Sequence, residues 1–257
     1  MTLQQQFALT SCILGLQREI VAVNFFCTAE EFEVYPIPQF KRKHTFCSMV
    51  RLASIGHGRK ALSSNFRCRG ASEVFRFVEP GADSISGERL FGFGLYAHRE
   101  LAGKVQTSMA RLATSCSGIA VLPLSSCTSL PQSIVIVVDA YQAMRLVQAW
   151  AYHHGLLEDL AIAGNRGICS ECVARPLTTG KLHLSMLCAN TRHVARWSDQ
   201  EMGIGLPGDK LGILLDGLIR TIPAVETSAR KQAILRRCEE AEVEFSVPEG
   251  KAYFIRG

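Results

Sequence analysis

Ten cysteines stand among 257 residues, and five of them fall in two stretches that echo one another. The first runs from Cys47 to Cys68, CSMVRLASIGHGRKALSSNFRC, and the second from Gly167 to Cys188, GICSECVARPLTTGKLHLSMLC. Each holds a Cys-Ser pair (Cys47-Ser48, Cys169-Ser170), a short apolar run, a basic loop with Gly and Lys (Gly58 to Lys60, Gly180-Lys181) and a closing cysteine. An apolar run precedes each copy, Ile20 to Phe26 and Ile134 to Val138, and a Gly-x-Gly-Leu follows, Gly92 to Leu95 and Gly203 to Leu206. Four elements in one order predict an ancient internal duplication. Two two-cysteine units supply four thiolates, the number that sulfur-bound metal chemistry uses.

An iron-sulfur cluster accepts widely spaced ligands, because its inorganic core holds the thiolates apart. Cys47, Cys68, Cys188 and one of Cys169 or Cys172 would hold a [4Fe-4S] core. If two similar lobes pack about a pseudo-twofold axis, the equivalent cysteines converge at their interface. Zinc is the alternative. A structural zinc site usually takes two closely spaced pairs of Cys or His, and this chain has one, Cys169-x-x-Cys172, which His44, His57, His183 or His193 could complete. A thioredoxin-type pair would sit where a strand meets a helix, and Val173 to Pro176 is too short for a good helix there. For any single cysteine the plain reading is a small buried hydrophobe, which fits Cys12, Cys27, Cys116, Cys127 and Cys238.

Four glycines, Gly92, Gly94, Gly203 and Gly205, are candidate ligand-binding positions, since glycines just before a helix let the backbone approach an anion closely. Arg192, with Arg69 and Arg196 nearby, could add donors for a carboxylate or phosphate. No Gly-x-Ser-x-Gly, phosphate-binding loop or His-Glu-x-x-His occurs, which removes the simplest hydrolase, nucleotide and zinc-protease readings.

The positioning elements follow from pattern. Leu3 to Leu16 reads as a helix and Ile20 to Phe26 as a strand, with Thr28 capping a short helix. Pro36 and Pro38 make an extended connector. Ser48 to Ile55 reads as one or two helical turns ending at Gly56 and Gly58. Leu62 to Cys68 reads as extended, Val74, Phe75 and Phe77 as a strand, and Ala97 to Leu112 as a helix. Ile134 to Val138 has the profile of a strand covered on both faces, followed by an Asp139-capped helix to His154. A strand pair through Leu182 to Cys188 and Val194 to Trp197, a helix from Lys210 to Ile219 ended by Pro223, and a polar helix from Ser228 to Glu240 complete the chain. Strict βα alternation is missing, so the expected class is α+β: two related halves, with mixed sheets covered by helices. The halves are 1–113 and 134–257, joined by a Ser/Thr-rich connector, 114–133, that could hold a short strand from Ile119 to Leu122.

With 47% hydrophobic and 20% charged residues the composition is that of a globular protein. No apolar run reaches the roughly 20 residues of a membrane-spanning helix. The first residues lack the positive charge of an export signal, and ten cysteines then point to a reducing compartment, the cytoplasm. The net charge of +5 is scattered, which argues against nucleic acid. Expected partners are a small-molecule ligand or a redox partner protein, with homo-oligomerisation open.

Several landmarks share one order: an early apolar strand, Cys47, Cys68-Arg69-Gly70-Ala71, Gly92-Phe93-Gly94-Leu95-Tyr96, Cys169, Pro176, Cys188 with Arg192, and Gly205-Leu206-Pro207. In these the chain resembles the prokaryotic domain-of-unknown-function family 169 (DUF169), over roughly Ile20 to Pro223. The resemblance implies a cytosolic protein of bacteria or archaea and brings no established activity. Cys188-Ala189-Asn190-Thr191-Arg192 stands where similar proteins carry a glycine between the Cys and the Arg. The expected function is a cytosolic, cysteine-rich protein with an iron-sulfur cluster between its halves, for redox or for activating a small anionic substrate. The alternative is a non-catalytic carrier of a small ligand or zinc.

Overall fold

The computed structural model describes residues 1–253. Its centre is one sheet of six strands: β1 (Val21–Phe26), β2 (Arg59–Leu62), β3 (Gly118–Pro123), β4 (Ser133–Val138), β5 (His183–Ser185) and β6 (Met202–Pro207). They lie in the order β2-β3-β1-β4-β6-β5, and every neighbouring pair is antiparallel. From the central β1–β4 pair outward, one side runs first, third, second strand of its half (β1, β3, β2) and the other does the same (β4, β6, β5).

All residues of β1, β3 and β4 are buried. Strand side chains alternate between faces, and here both faces are apolar. Val21, Val23, Phe25, Ile119, Val121, Val135 and Val137 join one core. Ala22, Phe26, Ala120, Leu122, Ile134, Ile136, Ile204 and Leu206 join the other. A continuous apolar run with helices on both sides is the usual mark of parallel sheets, and the missing strict βα alternation points to mixed sheets. The sheet is instead wholly antiparallel, because strand pattern records burial and not direction.

Among the described residues twelve α-helices surround it: α1 (Leu3–Leu14), α2 (Ala29–Val34), α3 (Phe46–Ala53), α4 (Arg69–Val74), α5 (Ala82–Ile85), α6 (Glu88–Gly92), α7 (Arg99–Ser108), α8 (Ala140–His154), α9 (Arg175–Thr179), α10 (Ala189–Ala195), α11 (Leu211–Val225) and α12 (Ser228–Glu240). A π-helix, Gly167–Ala174, leads directly into α9. The first core face carries α3, α4, the π-helix and α10. The second carries α2, α8 and α11. An outer layer of α1 and α12 packs on α11 through Leu9, Ile13, Leu215, Ile222 and Ile234. Local chemistry sets several boundaries: reciprocal capping boxes open α2 (Thr28 with Glu31) and α8 (Asp139 with Gln142), and Gly155 closes α8.

The short strand expected at Ile119 to Leu122 forms as β3 and lies between β1 and β2. Three local expectations are corrected. Val74 closes α4 rather than opening a strand, because Phe75, just past the helix, packs against Phe25, Phe46 and Phe66. Val194 lies in α10, so β5 pairs with β6 and not with a strand at 194–197. Pro223 lies inside the last turns of α11, which continues to Val225.

Candidate functional site

Four cysteines line one cavity of about 440 Å³ on the first face of the sheet: Cys47, Cys68, Cys169 and Cys188. Each is delivered by the start of a different helix. Cys47 is the second residue of α3, whose cap is Thr45, with the Thr45 hydroxyl accepting from the Ser48 N–H at 3.1 Å. Cys169 is the third residue of the π-helix. Cys68 and Cys188 are the N-cap residues of α4 and α10. The helices cross between halves, since α3 packs on α10 and the π-helix on α4, so the cavity needs both halves to exist.

Burial pushes the Cys47 thiol up to about 12; a hydrogen bond with Thr191 opposes the rise, and the Cys188 and Cys68 thiols add to it. Burial also raises Cys169, with Cys68, Cys47 and Cys188 adding to the rise and Arg166 opposing it. The four thiols therefore feel one another. Among the described residues no three His, Cys, Asp or Glu side chains stand close enough to hold a single metal ion.

Cys172 has a different place. It is fully buried under the sheet, and a Cβ built on Gly203 would meet its Sγ at 2.7 Å. On Gly205 a Cβ would meet the Cys172 carbonyl oxygen at 1.9 Å. Gly203 and Gly205, read from the sequence as a ligand turn before a helix, lie instead in β6, where their missing side chains let the π-helix rest directly on the strand. The other Gly-x-Gly-Leu lies elsewhere: Gly92 ends α6 and Gly94 has φ 71°, both with open space around them. Their neighbours Phe93 and Leu95 line the cysteine cavity. Arg192 is not free for a ligand, for its guanidinium donates to the carbonyls of Ser198 (2.6 Å), Met186 (2.9 Å) and Glu201 (2.9 Å). Arg69 is held by Glu73 and Asp83. The histidines weighed as zinc ligands line no part of the cavity. His44 stacks on Phe40 with centroids 3.5 Å apart, and His183 lies buried on β5.

Sequence reasoning missed the group that braces the cavity. Glu73 on α4 is wholly buried and ion-paired to Arg166, to Arg69 at 3.0 Å and to Arg89 at 3.7 Å. Ser84 donates to the same carboxylate at 2.7 Å and Gln106 at 3.2 Å. Arg89 and Arg166 both line the cavity, beside Asn165 and Asn190. Two carboxylates, Glu73 and Asp83, against three guanidiniums leave the wall with a net positive charge. A glutamate directly before the apolar Val74 and Phe75 was the available signal, and the reading of Val74, Phe75 and Phe77 as a strand hid it.

Backbone strain gathers at the same place. Arg166, just before the π-helix, has φ 56°, and Leu187, just before Cys188, has φ 63°. Left-handed conformations in bulky residues are costly and persist where surroundings over-determine them, typically at functional sites. The two segments touch: a Cβ on Gly167 would meet the Leu187 Cα and the Cys188 N at 2.8 Å each. A π-helix is itself a rare element, frequent at functional sites.

The sequence comparisons fall on this part of the chain. The model of the DUF169 family, described as uncharacterised ArCR, matches residues 11–217, a span that includes all four cavity cysteines and all six strands. The chain is 25% identical over 211 residues to uncharacterized protein MJ0308 of Methanocaldococcus jannaschii, covering 80% of this chain and 89% of that one. No solved structure matches. The chain belongs to the DUF169 family.

Proposed function

We propose that this is a cytosolic iron-sulfur protein in which Cys47, Cys68, Cys169 and Cys188 hold a cluster, [4Fe-4S] in type, at the junction of two duplicated halves. The observation that carries the reading is that four thiols, one from each of four helix starts, line a single cavity. The donor set is all sulfur, the set that iron-sulfur clusters use. Zinc would draw its ligands to about 4 Å from one another, whereas a core a few Å across holds them wider. A bound cluster would supply a one-electron couple for electron transfer or for activating a substrate. The chain's own residues set its surroundings. Phe93 and Leu95 form an apolar lip that limits water, while Arg89 and Arg166 hold positive charge beside the thiols. That wall suits a small anionic substrate, and the lip suits a redox partner protein. Membrane and nucleic acid are not the proposed partners: no helix among the described residues is long and apolar enough to cross a membrane, and the basic residues make no stripe.

Duplication is part of the proposal. Its support is the matching strand order on either side of β1 and β4, with Cys47 and Cys169 on the helices before β2 and β5, and Cys68 and Cys188 capping the helices after them. In this reading the first unit runs through β3, and the counterpart of Gly203 to Leu206 is the stretch Ile119 to Leu122, not Gly92 to Leu95.

Anaerobic purification with an absorption spectrum and iron and zinc assays tests the function. About four irons per chain and broad visible absorption are expected. Replacing Cys47, Cys68, Cys169 or Cys188 by Ser should each remove that absorption, and Cys172→Ser should leave it. Stoichiometric zinc without iron would turn the reading to the carrier alternative. Metal-free protein with all thiols titratable would end both.

A further inference from the structure

A second cavity, of about 340 Å³, lies on the other side of the π-helix. Cys169 lines the cysteine cavity, while the next two residues, Ser170 and Glu171, line this one, and Asn165 borders both. Leu101 and Val105 of α7 and Leu160 and Ile162 of the following loop give it apolar walls. Two cations stand at it. Lys104 is exposed and forms no ion pair among the described residues, and Arg175 has none either. The Arg175 Nη2 donates to the Asp159 carbonyl at 3.3 Å, but its Nε is shut off from solvent and has no hydrogen-bond partner. An unsatisfied buried donor is costly and calls for an acceptor. The one carboxylate in the cavity does not fill that role. Glu171 accepts from the Ala163 N–H at 3.0 Å and from the Ser185 hydroxyl at 2.5 Å, so its acceptors are engaged within the protein.

We propose that this cavity binds an organic carboxylate with an apolar body: the carboxylate is held by Arg175 and Lys104, and the hydrocarbon lies between α7 and the 160–162 loop. Such a site has the composition of ordinary small-molecule pockets, apolar walls with a few placed polar groups. Apolar walls separate it from a plain phosphate site, and the paired cations separate it from a site for neutral lipids or alcohols. It deepens the anionic-substrate part of the proposed function, yet its residues are distinct from the thiols, so it stands or falls separately.

The test is calorimetric titration of the purified full chain with octanoate and, in parallel, with octan-1-ol and inorganic phosphate. Octanoate should bind at least tenfold more tightly than either comparator. Lys104→Gln, at an exposed and unpaired position that leaves the fold alone, should weaken octanoate by several-fold, and Arg175→Gln, checked for its native circular dichroism, by tenfold or more. Neither change should alter octanol binding. A Cys169→Ser variant that loses its metal but keeps octanoate affinity would separate this site from the cluster. Equal binding of octanoate and octanol, stronger binding of phosphate, or unchanged octanoate affinity in both charge variants would overturn the assignment.

Discussion

At the scale of single residues, the cavity depends on side chains chosen for opposite reasons. The cysteines there are soft donors, and burial raises the pKa of Cys47 and Cys169, which favours the protonated thiol at those two when nothing is bound. Loading a metal must therefore release protons. Glu73 is a buried carboxylate ion-paired with the guanidiniums around it. Removing one partner of a buried ion pair leaves uncompensated charge, typically at a cost of about 3–5 kcal/mol. Glu73→Ala should accordingly lower stability by about 3 kcal/mol in urea unfolding, since Arg69 is partly exposed and can recover water. Arg192→Ala should also destabilise, by about 1–3 kcal/mol, through the loss of its three carbonyl contacts. An Arg192 effect confined to ligand binding would contradict that structural role.

Between elements, the decisive contact is the π-helix on β6. The Cys172 backbone lies against Gly205 with no room for a methyl group, and backbone cannot step aside as a flexible side chain does. Gly205→Ala should therefore cost about 3 kcal/mol or prevent folding, and Gly203→Ala, which meets a sulfur at 2.7 Å, should cost less. Gly92→Ala, with open space around it, should change stability by under about 0.5 kcal/mol. Thermal unfolding of the three variants gives the ranking, and a Gly92 variant as damaged as Gly205→Ala would refute the packing account. The neighbouring strand β5 carries a pH response. Burial lowers the pKa of His183 below its usual 6.5, and does the same to His44. Below pH 6.5 the unfolded chain takes up protons that these folded histidines refuse, so stability falls as pH drops from 6.5. Burial raises Glu171 above its usual 4.5, which acts in the opposite sense nearer that pH. His183→Asn should flatten the loss of stability between pH 7 and 5.5. An unchanged slope would mean that other groups carry it.

Over the whole molecule, the family match ends at residue 217, inside α11, while α12 lies beyond it. That last helix packs on α1 through Ile234 and Cys238, and the Arg237 guanidinium donates to the α1 carbonyls of Cys12 at 2.7 Å and Ile13 at 3.2 Å. None of its residues reaches the cysteine cavity. Truncation after residue 226 should lower the unfolding temperature by exposing the third apolar cluster, yet leave the spectrum and metal content of the cavity intact. Loss of the metal signal in a folded truncated protein would show that the outer layer supports the site.

Some of this was settled along the chain alone. Capping residues such as Thr28 and Asp139 act on backbone groups within four residues, so their helices could be read locally, as could the twice-buried run of β4. The meeting of Cys47, Cys68, Cys169 and Cys188 at one cavity was likewise expected from the order of the cysteines. What only tertiary structure decided involves contacts that sequence does not record. Cys169 and Cys172 are equivalent in any reading of a C-x-x-C motif, and the π-helix alone turns one to the cavity and the other under β6. The two Gly-x-Gly-Leu stretches are alike as strings, but one is an open loop and the other a packing surface, because the need for glycine comes from what approaches it. Strand direction, the place of β3 in the sheet and the burial of Glu73 among three arginines likewise depend on segments far apart in the chain meeting in space.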